Sequence, residues 1–434
     1  MGSSRFVKEA ALEDYVTYVK GITTKPVVTV GRFTSPDSMV SQIRRGITDF
    51  IGAARPSIAD PFLPNKIREG EIDSIRECIG CNVCYSGDGM GVPIHCTQNP
   101  TFSEGWRRGW HPEKIAKSKT DATVLVIGAG PAGLEATRAL GQRGYHVLLA
   151  EKTATLGGRV SRESTLPGLA EWIRVRDYRV RQIQRMPNVD VYLDSCMNAD
   201  SALETGAEHI VVATGAYWRA DGFGRYNEKP VFSTSLPSTS LPNTPPENGI
   251  YTPDHIFNDF LPAKEQGVTI YDDDHYYLGG VLAEHLTQLG YQVRLISPES
   301  KVSAWTEYTE EQHRIQAGLM SLGIEIITSQ GVTGFDGQQL TTCCVYSDVE
   351  NSLACQQLVT VTARTPNDHL YHKLVDKIGQ GNTAGKPTIA RIGDCDAPSI
   401  IATAVFAGHR YARELEEPVD IDNPLKYDRV YCDG

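Results

Sequence analysis

Short apolar runs closed by glycine alternate along this chain with segments of helical periodicity, the rhythm of a parallel-sheet protein. Residues 121–128 (DATVLVIG) read as a buried strand, 134–143 as the helix behind it and 145–150 as the next strand. Residues 210–215 (IVVATG) form a further apolar strand. The order then recurs: a strand over 268–272, a helix over 279–289, and GYQVRLIS echoing the earlier GYHVLLAE. Aligning Gly144 with Gly290 gives a constant offset of 146. Nearer the N-terminus, residues 8–20 look helical, 25–32 form a short strand, 36–45 a helix and 48–53 a second strand. Two such βα units cannot close a barrel or bury both faces of their strands. The Ser/Pro/Thr-rich stretch 233–248 marks a domain boundary, and QQLVTVTARTPND carries the chain back across it.

At 434 residues and 47.6 kDa, two or three domains are expected. A formal net charge of -11 makes nucleic acid a poor partner. The opening MGSSRFVKEAALEDY has neither an apolar signal core nor an Arg-rich transit pattern, and no run approaches the roughly 20 apolar residues of a membrane span. The expectation is a cytoplasmic protein with no membrane partner.

The cysteines narrow the chemistry. Cys78, Cys81 and Cys84 stand at every third position, and Cys96 follows after eleven intervening residues. Three thiolates so spaced wrap one face of a compact cluster and a distant fourth closes the cage, the ligand logic of a [4Fe–4S] centre. Structural zinc is the alternative, although its sites usually pair two C-x₂₋₄-C knuckles. Cys196, Cys343, Cys344, Cys355, Cys395 and Cys432 show no metal spacing and read as reduced thiols.

The strand at 121–128 enters G-A-G-P-A-G: Gly128, Gly130, Pro131, Ala132 and Gly133. Gly128 permits the tight turn, Gly130 the approach of a pyrophosphate, and Gly133 close helix–strand packing, with the phosphates on the helix N-terminus. Glu151, eighteen residues past Gly133, is placed to accept from a ribose hydroxyl. Gly157-Gly158-Arg159, the strand end at Thr214-Gly215 and R-I-G-D ending at Asp394 indicate a flavin-type nucleotide domain. Asp394 also reads as a helix cap for the run from Ser399. Under the offset Gly133 maps to Gly279, but Gly130 falls on Tyr276, Gly128 on Asp274 and Glu151 on Ser297. The carboxylates of D-D-D-H-Y-Y would repel a docking pyrophosphate by roughly 1–4 kcal/mol per close pair. This second domain is expected not to bind a nicotinamide. Asp-Asp-His also has the look of a metal or titrating cluster. His275, His313 and His409 read as structural or surface histidines, and Trp106, Trp110 and His111 as packing around the cysteines. Arg32 and Arg55, each just past a strand end, could grip a phosphate together or be ordinary surface arginines.

VGRFTSPDSM, IGAARPSIADPFLPNKIREGEIDSIRECIGCNVC and CTQNPTFSEGWRRGWHPEK together resemble the trimethylamine dehydrogenase and dimethylglycine-type amine dehydrogenase branch of the old yellow enzyme-like flavoproteins. The 2,4-dienoyl-CoA reductase branch shares the cysteine motif, but T-Q-N-P and G-W-H-P-E fit the amine dehydrogenases better. The resemblance runs the length of the chain. It implies an α/β architecture: a C-terminal remnant of a (β/α)₈ barrel over 1–75, with only the last two units present. An iron–sulfur segment follows over 76–118. Two Rossmann-like nucleotide-binding domains complete the chain, one for FAD or ADP over 119–248 and 360–434, and a degenerate NAD-binding-like insert over 249–359.

The resemblance also implies FMN, its phosphate on Gly31, Arg32, Ala54 and Arg55, with the catalytic residues in the absent barrel units. A methylated amine would be oxidised and electrons passed singly through Cys78, Cys81, Cys84 and Cys96 to an electron-transfer flavoprotein. A second chain supplying the rest of the barrel, and a homo-oligomer, are the other expected partners. The alternatives are an NAD(P)H-dependent enoate or dienoyl-CoA reductase, and an inert fragment or electron-relay subunit.

Overall fold

The computed structural model describes residues 4–233, 245–246, 248–379 and 385–417. Cys432 and most of the Ser/Pro-rich stretch lie outside the described residues. The chain forms two compact units: Met1–Ser161, Glu171–Thr214 and Leu370–Gly434 make the first, Arg162–Ala170 and Gly215–His369 the second.

The first unit is built on a parallel five-stranded sheet in the spatial order Thr388–Arg391, His209–Val212, Thr123–Ile127, His146–Ala150, Val189–Tyr192. Its central strands are apolar throughout because both faces are covered. Val124, Val126, Val147 and Leu149 meet one core with Leu134 and Leu140. Leu125, Ile127, Ile210 and Val212 meet the other with Leu374. The helix Pro131–Arg143 has Pro at its first turn and ends at Gly144, φ +101, where a left-handed residue releases the chain into the next strand.

In the N-terminal part Val28–Thr29 pairs in parallel with Phe50–Ile51 and with no other strand among the described residues. The strands expected over 25–32 and 48–53 are therefore two residues each, since pairing supports only that much. Val28, Val30 and Phe50 are 61%, 53% and 57% exposed. The single helix expected over 8–20 is instead two one-turn helices, Glu13–Val16 and Val19–Ile22, neither with a buried residue. With no apolar face to bury, a longer helix has nothing to hold it. Phe33, Met39, Leu63 and Ile75 form the small core that this segment does have.

The second unit carries a parallel sheet in the order Glu325–Ile327, Val293–Ile296, Val268–Asp272, Leu358–Val361, Ile250–Tyr251. Read from the Ile250–Tyr251 edge, its last four strands stand in the same chain order as the last four of the first unit's sheet. An antiparallel sheet of Gln330–Phe335, Gln339–Cys344 and Glu350–Ala354 is added to it in sequence. Ala216–Trp218 pairs antiparallel with Arg364–Pro366, so the return segment is a two-stranded ladder. Among the described residues no helix is long and apolar enough to cross a membrane.

Candidate functional site

The cysteine loop is shaped by backbone conformations that few residues adopt. Gly80 sits at φ +66, and a Cβ there would come within 2.7 Å of the Arg32 guanidinium. Asn82, at φ +54, starts the helix Val83–Met90, which carries Cys84. All four cysteine residues are half-buried, and each thiol is densely surrounded by protein. Burial raises the Cys78 thiol and pushes Cys81, Cys84 and Cys96 up to about 12. Their neighbours' charges add to the effect: Cys81 senses Cys78 and Cys96, and Cys84 senses Cys81 and Cys78. The four are thus gathered in one place. They are not closed: among the described residues no group of three or more His, Cys, Asp or Glu side chains stands in metal-holding geometry.

The donor set nevertheless fits an iron–sulfur group. Buried thiols that cannot ionise alone are stabilised as thiolates by iron, and N–H groups already point at the sulfurs. Gly80 N–H donates to Cys78 Sγ at 3.4 Å. Backbone N–H groups of Val83, Tyr85, Gln98 and Asn99 serve Cys81, Cys84 and Cys96. Thr97 Oγ1 lies 3.2 Å from Cys81 Sγ.

Gly31 is buried against Ala10 and Ala11, and Ala54 is exposed. Arg32 pairs with Glu171, and Arg55 donates to Asn82 Oδ1. Both guanidinium groups lower the Cys78 thiol, so they face the cysteine loop together. Trp110 packs on Phe406 at 5.8 Å and His409 at 5.4 Å, and Phe406 meets His95 beside Cys96. His111 stacks on Phe62. Trp106, on the short helix Glu104–Arg108, is 51% exposed. His313 is exposed.

The G-A-G-P-A-G loop turns sharply between the strand Thr123–Ile127 and the helix Pro131–Arg143. Gly128 stands at φ +103, where a Cβ would come within 2.6 Å of Ala213 O. A Cβ on Gly133 would lie 1.9 Å from Gly128 O, so only glycine lets the helix sit this close. Gly130, with φ -72, faces open space, which is the room a pyrophosphate requires. Pro131 opens the helix and Ala132 packs on Gly393, where a Cβ would come within 2.6 Å. Glu151 is buried and already engaged: Ala129 N–H donates to Oε2 at 2.8 Å, and Thr153 N–H and O–H donate to Oε1. Its carboxylate therefore holds the loop's shape as well as offering lone pairs. Gly158 stands against Gly130, and Arg159 Nη1 reaches Asp394 Oδ2 at 3.8 Å. Asp394 Oδ1 also accepts from Ser399 N–H at 3.0 Å, so it caps and faces the loop at once. Thr214 donates to Cys395 Sγ. Gly215 belongs to the second unit, at φ +78, where its carbonyl accepts from Asn367 N–H.

In the second unit the corresponding loop is filled. Tyr276 is 9% exposed and meets Tyr277 at 4.7 Å and Trp305 at 4.6 Å. Asp272 Oδ1 accepts from His275 N–H at 3.1 Å, and Asp273 pairs with His275 Nε2 at 3.0 Å. Glycines make room for both carboxylates. A Cβ on Gly279 would lie 2.4 Å from Asp272 Cγ, and one on Gly224 2.1 Å from Asp273 Oδ2.

Burial pushes the Asp272 carboxyl up to about 7. Burial opposes charge on His275, but the bond to Asp273 and the nearby carboxylates outweigh it and raise its pKa. From about pH 4 to 7 the folded chain holds a proton on Asp272 that the unfolded chain releases, so stability falls as pH rises through that window. His275 acts with the same sign, its stabilisation being lost as pH rises through its folded pKa. Asp272→Asn keeps the acceptor for His275 N–H, and thermal melts from about pH 5 to 8 should show a flatter dependence than the parent. Parallel curves would place the titration elsewhere.

Residues 2–74 match the NADH:flavin oxidoreductase / NADH oxidase family, and residues 126–195 the NAD(P)-binding Rossmann-like domain. The chain is 39% identical over 440 residues to dimethylamine dehydrogenase of Hyphomicrobium sp. (strain x), covering 96% of this chain and 58% of that protein. The structure of histamine dehydrogenase from Rhizobium sp. 4-9 superposes with a TM-score of 0.92 at 47% identity, across 100% of this chain and 62% of that one. The chain belongs to the amine dehydrogenase branch of the old yellow enzyme-like flavoproteins. A third member, 6-hydroxypseudooxynicotine amine oxidase from Pseudomonas geniculata N1, gives 0.88 at 44% identity over 96% of this chain and 60% of that one. The chain thus spans about three fifths of the length of the relatives it matches.

Sequence reasoning missed the buried charges of the first unit. Arg76, Arg143 and Arg179 are among the largest fully buried side chains. Arg179 lies in a helix reading R-V-R-D-Y-R-V-R-Q-I-Q, where nothing local separates the one buried arginine from its half-buried neighbours. His409 is likewise buried, held by Glu135 at 2.8 Å, and burial pushes it down to about 4.

Proposed function

We propose that this chain is the electron-transfer portion of an FMN/[4Fe–4S] amine dehydrogenase-like enzyme. It would serve the oxidation of a methylated amine and pass single electrons to an electron-transfer flavoprotein. The observation that carries this is the gathering of Cys78, Cys81, Cys84 and Cys96, with N–H donors aimed at their sulfurs, in a chain 39% identical to a dimethylamine dehydrogenase. An iron–sulfur group held there supplies one-electron transfer. The protein's own residues do the rest. The cysteines ligate, their backbone donors favour the charged form, and Arg32 and Arg55 sit where FMN phosphate and the cysteine loop would share a positive field. Gly128, Gly130 and Gly133 seat the pyrophosphate of ADP or FAD, with Glu151, Arg159 and Asp394 around it.

The filled loop at Tyr276 and the Asp272/Asp273 pair favour this over a nicotinamide-dependent reductase. The exposed edge at Val28, Val30 and Phe50 supports a need for further barrel units, supplied by a longer chain or a second one. The test uses the chain assembled with those units. Anaerobic addition of a secondary or tertiary methylated amine should bleach the flavin, and NADH or NADPH should not. Fast bleaching by either nicotinamide would reverse the assignment.

A further inference from the structure

Behind the cysteine loop, Gln98 and Arg179 connect Cys96 to Glu135 on the helix Pro131–Arg143. Thr97, Gln98 and Asn99 are all buried, and Gln98 N–H serves the Cys96 sulfur. The Gln98 side chain donates through Nε2 to Glu77 O at 3.0 Å, next to Cys78, so one amide ties both ends of the ligand loop. Arg179 then grips Gln98 twice: Nη1 donates to Oε1 at 3.0 Å and Nη2 to the backbone carbonyl at 3.2 Å. Its remaining nitrogen, Nε, donates to Glu135 Oε2 at 2.9 Å. Glu135 lies two residues past Gly133, in the first turn and a half of the helix Pro131–Arg143. It also accepts from Arg138 at 2.6 Å and from His409 Nδ1 at 2.8 Å. Glu135 and Arg179 are 1% and 0% exposed.

A buried charge pair of this kind is weak evidence for stability, because the desolvation of both ions offsets their attraction. Its geometry is informative for another reason. Two guanidinium groups, Arg138 and Arg179, share one carboxylate while His409 is held neutral, which leaves this buried group with a net positive charge, linked to Cys96 through Gln98. We infer that Arg179, oriented by Glu135, is a positioning residue: it fixes the Gln98 amide that shapes the Cys96 loop and places a buried positive charge behind that ligand. The inference rests on the iron–sulfur reading above. Outer-shell partners of metal ligands commonly matter by 10–100-fold in affinity or activity, and a fixed positive charge favours the more reduced, more anionic form of any group held by the thiolates.

The test compares Arg179→Met and Arg179→Lys with the parent, each purified without oxygen as the full chain. Iron retained against a chelator, the electron paramagnetic resonance signature after reduction, the midpoint potential and bound adenine nucleotide are measured. Arg179→Met should lose iron about tenfold faster or more and titrate at a lower potential, with nucleotide retained. Arg179→Lys should recover the potential but not the retention, because an ammonium cannot grip Gln98 in two places. Should Arg179→Met fail to fold, Gln98→Met removes the side-chain acceptor at constant volume, and faster iron loss there carries the same support. Variants that match the parent in retention, signature and potential, or that lose only thermal stability, overturn the inference. A parent without iron overturns the iron–sulfur reading itself, and is recognised before any variant is compared.

Discussion

Purified without oxygen, the chain should carry about four irons and four sulfides, and Cys96→Ser should carry almost none. Cys96 is the informative ligand to remove, because it is the one that closes the cage. Cys78, Cys81 and Cys84 lie within seven residues and share a loop and helix start, whereas Cys96 is held from elsewhere by Gln98 and Arg179. Serine keeps the volume but withdraws the soft thiolate, and an alkoxide is a poor replacement near neutral pH. The protein should still fold, since none of the four belongs to the apolar cores built on Val124 and Leu125. Iron and sulfide assays with the visible spectrum decide it. Zinc in place of iron, or undiminished iron in Cys96→Ser, would show that the thiols were gathered for another purpose.

Gly130→Tyr should purify without adenine nucleotide while retaining its iron. Gly130 has φ -72, which a tyrosine adopts without strain, and a Cβ there meets nothing within 4 Å. The variant therefore has no reason to misfold, and the added ring enters the space that the pyrophosphate needs. The contrast is with Gly133, where a Cβ would strike Gly128 O at 1.9 Å and substitution would disrupt the strand–helix junction. Denaturing parent and variant, then measuring released nucleotide by chromatography and iron by colorimetry, separates the outcomes. A variant with a full complement of nucleotide would demote Gly130 to a packing position. The view that Tyr276 closes the second loop would weaken with it.

How much of this was readable beforehand depended on whether the signal was local. The sheet strand at 123–127 is plain, because burial on both faces makes its residues apolar and Gly128 closes it, whereas 268–272 is legible from its place in the repeat, since it ends in Asp272 with no glycine after it. The glycine loop and the cysteine run were plain for the same reason: their chemistry needs fixed spacing along the chain. The strut from Cys96 through Gln98 and Arg179 to Glu135 was invisible, since its members lie 81 and 44 residues apart and each is an unremarkable polar residue in its own segment. The N-terminal strands were overestimated. Apolar residues at 25–32 carry β propensity, but propensity alone does not supply the pairing partners that extend a strand.

The way Asp272 and Asp273 are seated limits what any one substitution in the second loop can do. Each carboxylate occupies the place that a side chain at Gly279 or Gly224 would need, so acid and glycine are now mutually dependent. Restoring glycine at position 276 alone would open a gap among Tyr277 and Trp305 while leaving two buried acids in the path of a phosphate. Opening this loop to a phosphate would take several changes at once. Such a lock resists stepwise change: a single substitution trades a filled loop for a void or a clash without opening it.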